Sequence, residues 1–222
     1  MRQALPLLLM TAAAHAGTLT VSGYANCYSP EGNSQNVDTL PAACLVEGSF
    51  PLTFAIAEAF ADGDSLSGYA SLSARANGSI FPLDIFRATS ELDIEIANHV
   101  VLRGGVGQAT IELFVYSAPP VALDYNCMLE VDGVAKGCGD EATHAFAVEF
   151  GTPFWLRMLW HARAEGSLSN QNGASVMWDF GEPVVRQGDQ IVEGFLAESP
   201  EPSTLVFGLG LLAIGARKLS GS

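Results

Sequence analysis

Cys27, Cys44, Cys127 and Cys138 are the residues with the clearest chemistry in this chain. Paired thiols become lasting disulfides in an oxidising compartment, and four of them allow three pairings. Asp132-Gly133 is a strong signal for a two-residue hairpin turn. Folding about it sets Val131 against Val134 and then steps outward to Cys127 against Cys138. Facing residues lie about 4.5–5.5 Å apart in Cα, within disulfide reach. The spacing therefore predicts Cys127–Cys138 and leaves Cys27–Cys44 to close a polar loop rich in Asn, Ser, Pro and Gly. A crosslink over such a loop is worth about 3 kcal/mol. Thiolate–metal ligation is the rival reading, and it lacks a Cys-x-x-Cys.

Other candidates are weaker. His99, His144 and His161 stand singly, outside any His-x-x-x-His or His-Glu-x-x-His pattern, and read as surface or satisfied core residues. Asp62-Gly63-Asp64-Ser65 clusters hard oxygens that calcium favours, but lacks the spacing of an EF-hand. It reads as an acidic turn, with Asp62 and Asp64 the only calcium candidates and no other metal or cofactor expected. Carboxylate pairs such as Asp93/Glu95 and Asp140-Glu141 could serve a glycosidase only if two acids faced each other across a cleft. Asn77-Gly78-Ser79 matches a glycosylation sequon. Neither a Gly-x-Ser-x-Gly elbow nor a phosphate-binding loop occurs, so no catalytic residue is assigned. Trp155 is the candidate for stacking on a sugar ring; cover on both faces of its strand is the competing reading.

These residues need a scaffold, and between Gly17 and Ala197 the apolar period is mostly two. Strand patterns cover Thr18 to Tyr24, Phe50 to Phe60 (through Phe54, Ile56 and Phe60), and Leu66 to Ala76. Leu92, Ile94 and Ile96 alternate, as do Ala109, Ile111, Leu113 and Val115, and Phe146, Val148 and Phe150. Phe154, Leu156, Met158, Trp160, Ala162 and Ala164 share one side of the clearest strand. Ala174, Val176, Trp178 and Phe180 follow, then Gln190 to Leu196. Trp160 and Trp178 read as core. Ala55 to Ala61 has helix-forming composition as an alternative. Many short strands without a long amphipathic helix predict an all-β antiparallel sandwich, a jelly roll being one allowed topology.

Charge narrows the partners. The formal net charge is −14, from ten Lys and Arg against 24 Asp and Glu. Such a surface repels phosphate backbones, which excludes nucleic acid as a partner.

The ends carry addresses. Residues 1–16 read as a signal peptide: Arg2 is the positive start, Ala4 to Ala14 the apolar run, and Ala14-His15-Ala16 the small-residue cleavage motif before Gly17. The sandwich is expected over 17–197, and a Pro-rich linker over 198–204. Residues 205–222 hold the apolar run Leu205 to Ala216 and the basic pair Arg217-Lys218. That run spans about 18–21 Å as a helix, short of a hydrocarbon core near 30 Å. It suits a temporary membrane anchor, and the basic pair places the extreme C-terminus on the cytoplasmic side.

This tail resembles the PEP-CTERM sorting signal of exopolysaccharide-producing Gram-negative bacteria: Pro200-Glu201-Pro202, a short Gly-containing apolar helix, and a basic end. The resemblance implies recognition of Pro200, Glu201 and Pro202 by an exosortase-like membrane enzyme, and transient anchoring in the inner membrane through residues 205–216. It implies a non-enzymatic protein of the cell surface or extracellular matrix, associated with exopolysaccharide. A carbohydrate-binding module or adhesin is one alternative, and a secreted hydrolase using carboxylates another.

Overall fold

The computed structural model describes residues 17–29, 31, 34–47, 53–77, 86–118, 124–138, 142–167 and 171–199. The expected signal segment with Ala14 and Ala16, the motif Pro200-Glu201-Pro202, and the anchor with Arg217 and Lys218 lie outside the described residues. So do Asp140-Glu141 and the sequon's Gly78 and Ser79.

The described chain is all-β: two antiparallel sheets packed face to face as a sandwich. The first holds β1 (Thr18–Tyr28), β2 (Ser34–Val37), β6 (Arg87–Arg103), β8 (Asp124–Val131), β9 (Val134–Gly137), β11 (Pro153–Ser167) and β14 (Phe195–Glu198), ordered β2-β1-β6-β11-β8-β9 with β14 also on β6. The second holds β3 (Ala42–Glu47), β4 (Phe54–Gly63), β5 (Ser67–Asn77), β7 (Gln108–Ala118), β10 (Thr143–Glu149), β12 (Gln171–Gln187) and β13 (Gln190–Val192), ordered β10-β7-β12-β5-β4-β3 with β13 also on β12.

Alternation decides which side chains fill the space between the sheets. Leu92, Ile94 and Ile96 from β6, Leu156, Met158 and Trp160 from β11, and Ile111, Leu113 and Val115 from β7 are all buried. Both indoles find partners there: Trp160 Nε1 donates to Ser117 Oγ at 3.1 Å, and Trp178 Nε1 to the Asp64 carbonyl at 3.1 Å. A buried indole N–H left unpaired would cost the desolvation of a donor, so these bonds complete the core rather than decorate it.

Both disulfides form as the spacing predicts. Register runs Val131–Val134, Glu130–Ala135, Leu129–Lys136 and Met128–Gly137. Asp132 and Gly133 take the positive φ of 46° and 80° that this hairpin turn requires. Cys127 and Cys138 then stand 5.2 Å apart in Cα and are bonded. Cys27–Cys44, at 5.9 Å, joins β1 of one sheet to β3 of the other.

Residues 55–61 lie in strand β4, as the alternation predicts, and not in the alternative helix. Three expectations need correction. The phase expected for that strand is reversed: Ala55, Ala57 and Ala59 are buried, while Phe60 is exposed. The small side chains point inward because the sheets approach closely nearby; a Cβ on Gly166 of β11 would lie 2.5 Å from the Arg75 Cα of β5. Finally, the segment expected as one strand from Gln190 to Leu196 splits into β13 and β14, which join different sheets. The last strand runs through Glu198, into the stretch expected as linker.

Candidate functional site

A sandwich offers two outer faces for chemistry, and here they differ. On the second sheet, register sets Tyr116, Met177, Tyr69 and Asp62 in one row across β7, β12, β5 and β4. Phe114, Asp179 and Ser67 form the next row, and Ser175, Ser71 and Phe60 the row on the other side. Tyr116, Met177, Tyr69 and Phe60 are each 41–50% exposed. Tyr69, Met177 and Phe60 line an open trough of about 750 Å³ together with Phe114, Asp62 and Asp179. Tyr116 stands beside it as the strand partner of Met177.

The trough is supported from below by a close approach. A Cβ on Gly68 would lie 2.3 Å from Trp178 Cζ2, so the glycine leaves room for the indole. At the neighbouring turn, Asp64 Oδ1 accepts the amides of Leu66 at 2.7 Å and Ser67 at 2.8 Å. Asp64 is thus committed to the turn, while Asp62 faces the trough from β4. This separates the two residues named as calcium candidates.

The outer face of the first sheet is charged. Arg157 donates from Nε at 3.1 Å and Nη2 at 2.7 Å to one oxygen of Glu95. Arg163 Nη2 donates to Glu165 at 2.7 Å, and Tyr24 Oη to Glu91 at 3.1 Å. His161 lies between two carboxylates: Nδ1 is 2.7 Å from Asp93 and Nε2 is 3.7 Å from Asp124. A depression of about 280 Å³ runs beside them, lined by Thr20, Ser22, Asn126 and Leu159 among others. Burial raises the Tyr24 pKa, helped by its hydrogen bond to Glu91. Burial works against the charge of Arg163, yet the bond to Glu165 and the surrounding negative groups outweigh it and raise its pKa.

Among the described residues, Glu91, Asp93 and His161 are the group of His, Cys, Asp and Glu whose donor atoms lie within 4.8 Å of one another. One nitrogen and two carboxylates suit a borderline divalent cation. The same atoms already contact each other and Tyr24, so hydrogen bonding accounts for their placement.

Trp155 lies on this charged face and is 52% exposed, as the stacking reading needs. Its ring sits 5.0 Å from that of His99, and its amide donates to Asp132 Oδ1 at 2.8 Å. Tyr28 and Phe195 are the other exposed rings of this sheet, one on β1 and one on β14, whereas Phe60, Tyr69 and Tyr116 of the opposite sheet stand on strands in register around Met177. Sequence reasoning assigned the inward phase of β7 and β12 and left Phe114, Tyr116 and Met177 unread. Their signal was apolar character in both phases of one strand. Of the histidines, His144 is buried and His161 is held against Asp93 on the surface.

Compared with known proteins, the chain matches no family model and no curated relative.

Proposed function

We propose that this chain is an exported, non-enzymatic protein of the cell surface or extracellular matrix, sorted through its PEP-CTERM-like tail, whose sandwich binds neutral polysaccharide in the trough of the second sheet. The observation that carries the binding reading is the row Tyr116–Met177–Tyr69–Asp62, exposed and flanked by Phe60 and Phe114. Sugar rings present C–H faces that pack on aromatic rings, and hydroxyls that donate to carboxylates. Tyr69 and Tyr116 are two strands apart, about 10 Å, comparable to the length of a disaccharide unit. An open trough suits a polymer rather than a small molecule. The acidic charge of the chain and the acids at the trough favour neutral over anionic polymers.

Two disulfides in the body agree with export to an oxidising compartment, as the signal-peptide and tail readings require. The inner membrane and an exosortase-like enzyme are then transient partners.

The test is affinity electrophoresis of the exported protein through gels containing soluble cellulose ether, xyloglucan, galactomannan or, as the anionic control, alginate. Retardation by at least one neutral polymer and by no alginate supports the reading. Unchanged mobility in all the neutral gels contradicts it. Shortening of the polymer during the assay would replace binding with hydrolysis. Mass spectrometry tests sorting: a cytosolic product that ends at Ser222 defeats it.

A further inference from the structure

The two ends of the body meet on one strand. β1 starts with Thr18 opposite Ala97 of β6, which sets Gly17 opposite Asn98. β14 lies on the same β6 and ends with Glu198 opposite Val100; the next amide, that of Ser199, donates to the His99 carbonyl at 2.7 Å. β14 and β1 therefore run end to end along β6, like one strand with a break between Ser199 and Gly17. Ser199 holds the place opposite His99 that an extended β1 would need.

At that break the Gly17 amide donates to Glu198 Oε1 at 2.9 Å. The socket around the bond is built. Asn98, 2% exposed, donates to Ser65 Oγ at 3.1 Å, and Ser65, 4% exposed, donates to the same Glu198 oxygen at 3.3 Å. Glu198 is the charged group of this socket; Asp64, next to Ser65, spends its carboxylate on the amides of Leu66 and Ser67. Glycine also leaves room for Asn98, since a Cβ at position 17 would lie 2.2 Å from Asn98 Cγ and would displace that side chain.

Gly17 is independently the residue that the Ala14-His15-Ala16 pattern makes the new N-terminus. Given the export reading above, on which this rests, we infer that the socket of Glu198, Ser65 and Asn98 is the receptor for the N-terminus released by leader cleavage. Hydrolysis of the Ala16–Gly17 bond by a membrane signal peptidase consumes one water. It leaves a carboxylate on Ala16 and an ammonium on Gly17. One neutral N–H donor becomes a cation with three donors, already seated against a carboxylate. Leader removal thereby converts a plain hydrogen bond into an ion pair that clamps the start of the body to its last strand. Pro200-Glu201-Pro202 then follows directly from the clamped end.

The experiment exports the full chain in four forms: wild type, Glu198→Gln, Ala16→Tyr to block cleavage, and the double variant. N-terminal sequencing of the wild type is expected to begin at Gly17. Glu198→Gln is expected to lower the Tm of the processed protein by about 3–10 °C and to shift the leader-retaining protein far less. As a second readout, mass spectrometry should show the Gly17 amine labelled by an acylating reagent several-fold more slowly in the wild type than in Glu198→Gln. With the N-terminus at Gly17, equal Tm shifts in both forms, or equal labelling, overturn the inference and leave the export reading standing. A leader cleaved at another bond also overturns the inference, whereas a chain that stays in the cytosol with its leader intact overturns the export reading.

Discussion

The two outer faces of this sandwich solve the same problem in opposite ways. Both belong to seven-stranded antiparallel sheets whose inner faces are apolar. The first sheet carries the ion pairs Arg157–Glu95 and Arg163–Glu165 and the His161–Asp93 contact on its outside, with Tyr28, Trp155 and Phe195 exposed singly on separate strands. The second leaves Tyr69, Met177 and Phe60 half in solvent along a trough, with Tyr116 on the next strand and the acids Asp62 and Asp179 in the lining. Satisfied charge on one side explains itself without a partner. Exposed rings collected on adjacent strands do not, because scattered apolar residues are ordinary on a surface and contiguous ones mark a binding surface. The proposed binding surface on the second sheet rests on this contrast.

That contrast can be broken in several places. The largest stability effect belongs to the bond that joins the sheets. Replacing Cys27 and Cys44 by Ser removes a 17-residue crosslink and should cost about 3 kcal/mol in chemical denaturation. Gly68→Ala comes next. It forces a methyl against Trp178 and should cost about 1–3 kcal/mol while reshaping the trough, so polysaccharide retention falls with stability. On the charged face the effects shrink. Arg157→Ala removes a solvent-exposed ion pair with Glu95 and should cost less than about 1 kcal/mol, and still less in high salt.

The smallest effect is a pH dependence. The folded-state pKa of Tyr24 is raised above its ordinary value of 10.0, mainly by burial and then by Glu91. A raised pKa means the fold favours the protonated phenol. This contribution is therefore complete below pH 10 and is lost as pH rises through the higher folded value. Tyr24→Phe should flatten the alkaline limb of a Tm-against-pH curve slightly; a steeper limb would reverse the sign assigned here.

Much of the scaffold was legible from period and turn chemistry. Asp132-Gly133 fixed the hairpin register, and that register alone brought Cys127 to Cys138. The strand from Phe154 to Ala164 showed its inward side because every position on that side is apolar, while the other side mixes Trp155 and Leu159 with Arg157, His161 and Arg163. β4 misled because both of its phases are apolar: Phe54, Ile56 and Phe60 outrank Ala55, Ala57 and Ala59 in hydrophobicity, yet a narrow gap between sheets accepts only the alanines. The same ambiguity hid the trough. Its residues come from four strands far apart in sequence, and only lateral strand order makes Tyr116, Met177 and Tyr69 neighbours. His161 likewise met Asp93 through a pairing between β6 and β11 that no local motif announces.

The most direct test sets one face against the other. Titration calorimetry of the exported protein with whichever neutral polysaccharide retards it, run in parallel on Tyr69→Ala and Trp155→Ala, compares an exposed ring on each sheet. The account requires Tyr69→Ala to weaken binding by roughly tenfold or more while Trp155→Ala leaves the Kd unchanged. Loss of binding in Trp155→Ala with Tyr69→Ala unaffected would move the site to the charged sheet and contradict it.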